Sequence, residues 1–142
     1  FIGDAVMAQW GAPEGTPDDP DRAMRAAREM MDALAALNAR WRETGAPRPE
    51  LAMGIGLAHG DVFAGNIGSE RRLEFTVIGE AVNQASRLCD AAAGGEILIT
   101  DALRRALREP PPVRVVPTPY SPGRMPTYAV LRGEGEAGDA ID

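Results

Sequence analysis

The chain has 142 residues, of which 44 % are hydrophobic and 25 % charged, enough apolar material for one folded core. A net charge of -6 excludes a broad nucleic-acid or anionic-membrane surface as the main function, while leaving room for a phosphate site built from a few local cations. Cys89 is the single cysteine, which rules out an intrachain disulfide and a Cys-based zinc site and points to a reducing, cytoplasmic compartment. No stretch approaches the ~20 apolar residues of a membrane span, so this segment is expected to make no direct membrane contact, whatever anchor a longer protein carries elsewhere. The chain opens at Phe1-Ile2-Gly3-Asp4 without an initiator Met or a signal peptide and reads as a fragment.

Ala5 to Trp10 is a short apolar run between Gly3-Asp4 and Gly11-Ala12-Pro13, the pattern of a hairpin's return strand. Asp19 followed by Pro20 signals a helix start. Ala23, Ala27, Met30, Leu34, Leu37 and Trp41 then recur at three- and four-residue spacing, predicting a helix with that stripe on the core, stopped by Gly45 and Pro47. Asp18, Asp19 and Asp21 read as N-terminal helix charge.

Leu51 to Leu57 predicts a strand whose Gly54 and Gly56 weaken it unless another backbone lies close. Val62 to Ile67 is a second strand, and alternation over Leu73 to Ile78 a third. A helix from Glu80 to Ala93 presents Val82, Ala85, Cys89 and Ala92 to a sheet and ends at Gly94-Gly95. Ile97 to Ile99 is a buried strand, and Thr100 caps a short helix over Asp101 to Arg108. Val113 to Val116 and Thr127 to Leu131 form a final strand pair. Residues 1–132 thus make one domain, and 133–142 a small acidic tail expected to be disordered. Strands and helices alternate without a long parallel βαβαβ rhythm, which predicts an α+β sheet with helices on one face.

Asn83 and Arg87 are four apart and project together from a side of their helix away from the apolar stripe. An amide beside a planar, permanently charged fork suits an oxyanion and a polyphosphate, although the same spacing also describes an ordinary solvated face. Asp4, at a predicted turn, offers hard oxygen ligands to Mg²⁺, or simply serves the turn. His59 has no partner in the sequence and receives no role.

Four stretches occur in one order: Phe1-Ile2-Gly3-Asp4-Ala5-Val6-Met7-Ala8, Gly54-Ile55-Gly56-Leu57, Gly60 to Arg72, and Phe75-Thr76-Val77-Ile78-Gly79-Glu80-Ala81-Val82-Asn83-Gln84-Ala85-Ser86-Arg87-Leu88. Together they resemble the catalytic domain of class III adenylyl/guanylyl cyclases, from Phe1 to about Leu131. The resemblance implies a ferredoxin-like core and a homodimer, packed head to tail, that shares its active sites. It implies two Mg²⁺ or Mn²⁺ ions held by two aspartates, with Asp4 matching the second and the first lying upstream of this chain. Asn83 and Arg87 match the pair that stabilises the transition state, and Thr76 matches one of two positions that read the purine. Thr at that position implies ATP as substrate and cyclic AMP as product. One departure stands out. The family's triphosphate lysine is replaced at Pro122, within Ser121-Pro122-Gly123-Arg124, leaving Arg124 as the substitute contact. The rival readings are a degenerate cyclase-like dimerisation or regulatory module, a guanylate cyclase, and a diguanylate cyclase or polymerase-palm relative. The last lacks its expected Gly-Gly-Asp/Glu-Glu-Phe turn. The 142 residues alone are expected to be inactive, since they lack one metal aspartate and one base-reading residue.

Overall fold

The computed structural model describes residues 4–12, 14–45, 50–69, 72–117 and 125–131, with side chains described outside 66–69 and 72–76. The elements run α1 (Asp19–Glu43), β1 (Ile55–Leu57), β2 (Phe63–Ser69), β3 (Arg72–Ile78), α2 (Glu80–Ala91), β4 (Ile97–Thr100), α3 (Asp101–Ala106), β5 (Val113–Val116) and β6 (Thr127–Val130). Four strands form a mixed sheet in the order β1-β4-β6-β5, and β2 and β3 form a separate antiparallel hairpin.

Strand alternation decides which helix covers which face of the sheet. Ile97 and Ile99 of β4, Val113 of β5, and Tyr128 and Val130 of β6 join Met24, Ala27 and Met31 of α1 and Leu103 of α3 in the main core. Leu98 and Ala129 point the other way and pack with Leu88 and Ala92 at α2. The expected mixed α+β class holds, but the helices are not confined to one face as expected, because β4 and β6 are apolar on both sides. α1 and α3 share one face, and α2 takes the other.

β1 carries only glycine on its α2 side, and that is why the helix comes so close. A Cβ built on Gly56 would lie 2.4 Å from Ala85 O, 2.4 Å from Cys89 N and 2.7 Å from Leu88 Cβ. One on Gly54 would lie 2.9 Å from Ala92 Cβ and 3.0 Å from Ala92 O. The Cys89 thiol donates to Gly54 O at 3.5 Å, part-buried between the two elements. The expectation that these glycines need a neighbouring backbone is met by α2.

The local signals of α1 and α3 hold with small shifts. The N-cap of α1 is Asp18, one residue before the expected Asp19, so Pro20 falls at the second helical position. Asp19 instead accepts from Thr16 N at 2.7 Å and Thr16 Oγ1 at 2.9 Å, tying down the loop before the helix. Gly45, at φ +69°, follows the helix in the left-handed conformation that a residue with a side chain resists. The buried stripe is Pro20, Met24, Ala27 and Met31, rotated about one residue from the expected one. Met31 is 3 % exposed and Met30 is 44 % exposed. Thr100 Oγ1 accepts from Leu103 N at 3.1 Å, the expected cap of α3.

Two strands differ from expectation. The segment after α1 becomes a strand only over Ile55–Leu57, because Leu51 is held instead by the Asn38 side chain, which donates to Leu51 O at 2.8 Å and accepts from Leu51 N at 3.0 Å. Ala5 forms an isolated bridge, and residues 6–9 have no regular structure. A return strand needs its outgoing partner in register, and Val6 and Met7 are exposed here rather than packed. The expected tail at 133–142 lies outside the described residues.

Candidate active site

β3 and α2 form one continuous unit. β3 ends at Ile78, Gly79 serves as N-cap, and α2 begins at Glu80. Gly79 O accepts from Val82 N at 3.1 Å and Asn83 N at 3.3 Å, so the helix starts within one residue of the strand. Gly79 lies close against the segment that leads into β2. A Cβ on Gly79 would meet Asp61 O at 3.0 Å and Val62 Cα at 3.2 Å. Thr76 lies in β3 opposite Gly65, three residues before this junction; its side chain is not among those described.

Asn83 and Arg87 are both exposed on α2. At about 100° per residue, Ala85, Leu88, Cys89 and Ala92 gather on the side seated on β1, and Asn83 and Arg87 fall on the opposite side, one turn apart. The sheet therefore fixes the helix from beneath while its outward side carries the amide and the guanidinium. That arrangement can offer a hydrogen-bond donor and a two-pronged cation to a phosphoryl group.

Asp4 is exposed in the N-terminal turn beside the Ala5 bridge. Arg124 lies outside the described residues. The structure brings Asn83 and Arg87 together through the helix, and it joins Thr76 to them through the β3–α2 junction. No described hydrogen bond or ion pair links Asp4 to that group.

A pocket of ≈190 Å³ opens between His59, Gln84, Thr100, Asp101, Arg105 and Met125. Among the described residues that line it, Asp4, Asn83 and Arg87 do not appear. Asn83 and Arg87 thus occupy the exposed side of α2 rather than this cavity. Sequence reasoning gave His59 and Gln84 no part in a pocket, and nothing in their spacing signalled one. It did single out Gly54 and Gly56, whose contacts set the height of α2.

Comparison with known proteins identifies the family. The family described as adenylate and guanylate cyclase catalytic domain matches residues 1–128. The chain belongs to this family. Its structure is similar to that of the guanylyl cyclase Cya2, with a TM-score of 0.80 and 34 % identity, covering 94 % of this chain and 69 % of that one. It is also similar to the adenylyl cyclase CyaB from P. aeruginosa, with a TM-score of 0.79 and 29 % identity, covering 94 % and 70 %. An uncharacterized protein of Mycobacterium tuberculosis is 44 % identical over 92 residues, 65 % of this chain. The chain spans 15 % of that relative's length.

The cyclase domain has the ferredoxin-like fold of these neighbours. Members of the family act as dimers and bind nucleotide, and they generally use divalent metal ions. Among the described residues no group of three or more His, Cys, Asp and Glu could hold an ion. Asp4 offers one carboxylate, and the described residues do not complete a metal centre around it. No helix among the described residues is long and apolar enough to cross a membrane.

Proposed function

We propose that the chain is part of an adenylate cyclase converting ATP to 3′,5′-cyclic AMP and pyrophosphate in intracellular signalling. The observation that carries this reading is the exposed Asn83–Arg87 pair on a helix whose opposite side is locked onto β1. In the reaction the ribose 3′ oxygen attacks the α-phosphorus of the same nucleotide. The 3′-O–P bond forms, the bond from the α-phosphorus to the bridging oxygen of pyrophosphate breaks, and the hydroxyl proton passes to solvent. Arg87 donates its fork to the α-phosphoryl oxygens as charge grows there, and Asn83 orients the ribose. Arg124 would contact the triphosphate. Asp4 would contribute a carboxylate to a centre for Mg²⁺ or Mn²⁺, ions of the class the family uses.

An open face needs a second surface to exclude water. The placement of Asn83 and Arg87 outside the cavity favours a site closed by a second copy of the domain, head to tail. Thr76 favours ATP, since its hydroxyl can accept from the adenine amino group; it can also donate to a guanine carbonyl. Guanylate cyclase activity is the second reading, favoured by the likeness to Cya2 at 34 % identity.

Equal concentrations of ATP and GTP supplied to the full-length protein with Mg²⁺ or Mn²⁺ separate the two. A kcat/KM ratio favouring ATP is expected. A ratio favouring GTP would reverse the substrate assignment while leaving the cyclase fold intact. No cyclic nucleotide from either would favour a dimerisation or regulatory role.

A further inference from the structure

We propose that Gly56 is a positioning residue for this reaction, setting the height at which α2 presents Asn83 and Arg87. The inference rests on the reading of those two residues as the catalytic pair. Gly56 is paired with Leu98 in the sheet and points away from the main core, toward α2. Its missing side chain lies against backbone, not against a flexible side-chain end. Ala85 O and Cys89 N, each 2.4 Å from the position of a Cβ, belong to the turns of α2 that contain Asn83 and Arg87. Ordinary contact begins at 3.4 Å and a Cβ essentially never sits under 3.0 Å from backbone, so any side chain at position 56 forces β1 and these turns of α2 apart by up to about 1 Å.

That displacement falls directly on the catalytic pair. Asn83 and Arg87 lie on the opposite side of the same turns, and a rigid helix carries the shift through undiminished. A misplacement of about 1 Å in a reacting group costs roughly 10²-fold in rate.

Gly54 provides the internal comparison. It also lacks room for a Cβ, but what it meets is Ala92, the extended residue that ends α2. The chain can yield there without moving Asn83 or Arg87. Gly54 therefore supports the packing of the helix end, and Gly56 supports the catalytic turns.

The experiment compares Gly56→Ala, Gly54→Ala and Arg87→Ala in the full-length protein. The readouts are kcat, affinity for a non-cyclising ATP analogue, and the unfolding midpoint. The expected result is that both glycine variants lose stability, while only Gly56→Ala loses kcat, by roughly 10²-fold. Its analogue affinity should fall much less than kcat, because Arg87 meets charge that grows only in the transition state, while Asn83 is one of several contacts to the bound nucleotide. Reactivity of Cys89 toward a thiol reagent should rise in Gly56→Ala as the helix lifts.

If Gly56→Ala does not fold, Leu98→Phe tests the same movement. Leu98 packs against Leu88 beneath α2, and overpacking there should raise the helix with Gly56 intact and lower kcat with analogue affinity retained. A folded Gly56→Ala or Leu98→Phe protein with wild-type kcat would overturn the proposal. So would equal kcat losses in the two glycine variants, since that is the mark of a purely structural role. If Arg87→Ala itself keeps wild-type turnover, the underlying reading of the catalytic pair fails instead.

Discussion

The Tyr128 hydroxyl donates to Asp101 Oδ1 at 3.0 Å in the buried core, joining β6 to the first residue of α3. Asp101 Oδ2 faces Arg105 Nε at 2.8 Å, and the Arg104 guanidinium lies 4.9 Å from the centroid of the Tyr128 ring. A carboxylate is thus held inside the fold by one neutral donor and one largely exposed cation.

Tyr128→Phe keeps the ring and removes the donor. Hydrogen bonds to charged groups are worth roughly 1.5–3 kcal/mol, so the substitution should destabilise by about that amount at neutral pH. Burial first, then the hydrogen bond and charge of Asp101, hold the Tyr128 phenol above its ordinary value, against a smaller opposing effect of Arg104. A raised folded-state value means that the native protein keeps a proton the unfolded chain releases near pH 10. The stabilisation is full below pH 10 and is lost as pH rises through the folded value. Urea unfolding at pH 7 and above pH 10 should show the gap between wild type and Tyr128→Phe narrowing with pH.

Thr100→Ala removes the side-chain oxygen that caps α3 and should cost about 1 kcal/mol. Thr100→Ser should recover most of it. Unfolding midpoints of the two variants check this, and equal losses would mean that the Thr100 methyl, rather than its hydroxyl, matters.

That cap was legible because it is local. A Thr before a short amphipathic run needs no tertiary information to be read. The facing of Ala85, Cys89 and Ala92 onto a sheet, and the demand of Gly54 and Gly56 for a close backbone, were legible for a similar reason. The orientation of α1 was not. Met30 and Met31 are adjacent, and Ala33 to Leu37 are all apolar, so two stripes fit the sequence equally well. Packing against Ile97, Ile99 and Tyr128 selected Met31. Ala5 to Trp10 has strand composition, but pairing depends on a partner distant in sequence, and composition cannot supply one. The Asp101–Tyr128 bond joins residues 27 apart across two elements, beyond any spacing rule. At the site, the spacing of Asn83 and Arg87 placed them on one side of α2, but only the resemblance of the surrounding motif to the cyclase family assigned them a role, and the relation of Asp4 to them depends on tertiary or intersubunit geometry that no local pattern encodes.

The 142-residue chain by itself should make no cyclic nucleotide. Among its described residues only Asp4 is put forward as a metal ligand, with no cluster around it. Incubation with ATP or GTP and Mn²⁺ tests this. Metal-dependent product from the isolated chain would mean that the site has been misplaced.

Asp4 and Arg87 should serve one site from opposite protomers. Full-length Asp4→Ala and Arg87→Ala proteins should each be nearly inactive, and their mixture should regain activity, because one of the heterodimer's two sites keeps both residues. A mixture that stays inactive despite demonstrated subunit exchange would contradict the shared site.

The most direct measurement is the effect of Arg87→Ala on kcat and on ATP affinity in the full-length protein. Arg87 meeting charge that grows only in the transition state predicts a fall in kcat of about 10²–10³-fold, with ATP binding nearly unchanged. Arg87→Lys should restore only part of the loss, since a point charge cannot reproduce the fork. An exposed arginine with no catalytic part would leave turnover intact and change stability by under about 0.5 kcal/mol, and that result would contradict the assignment.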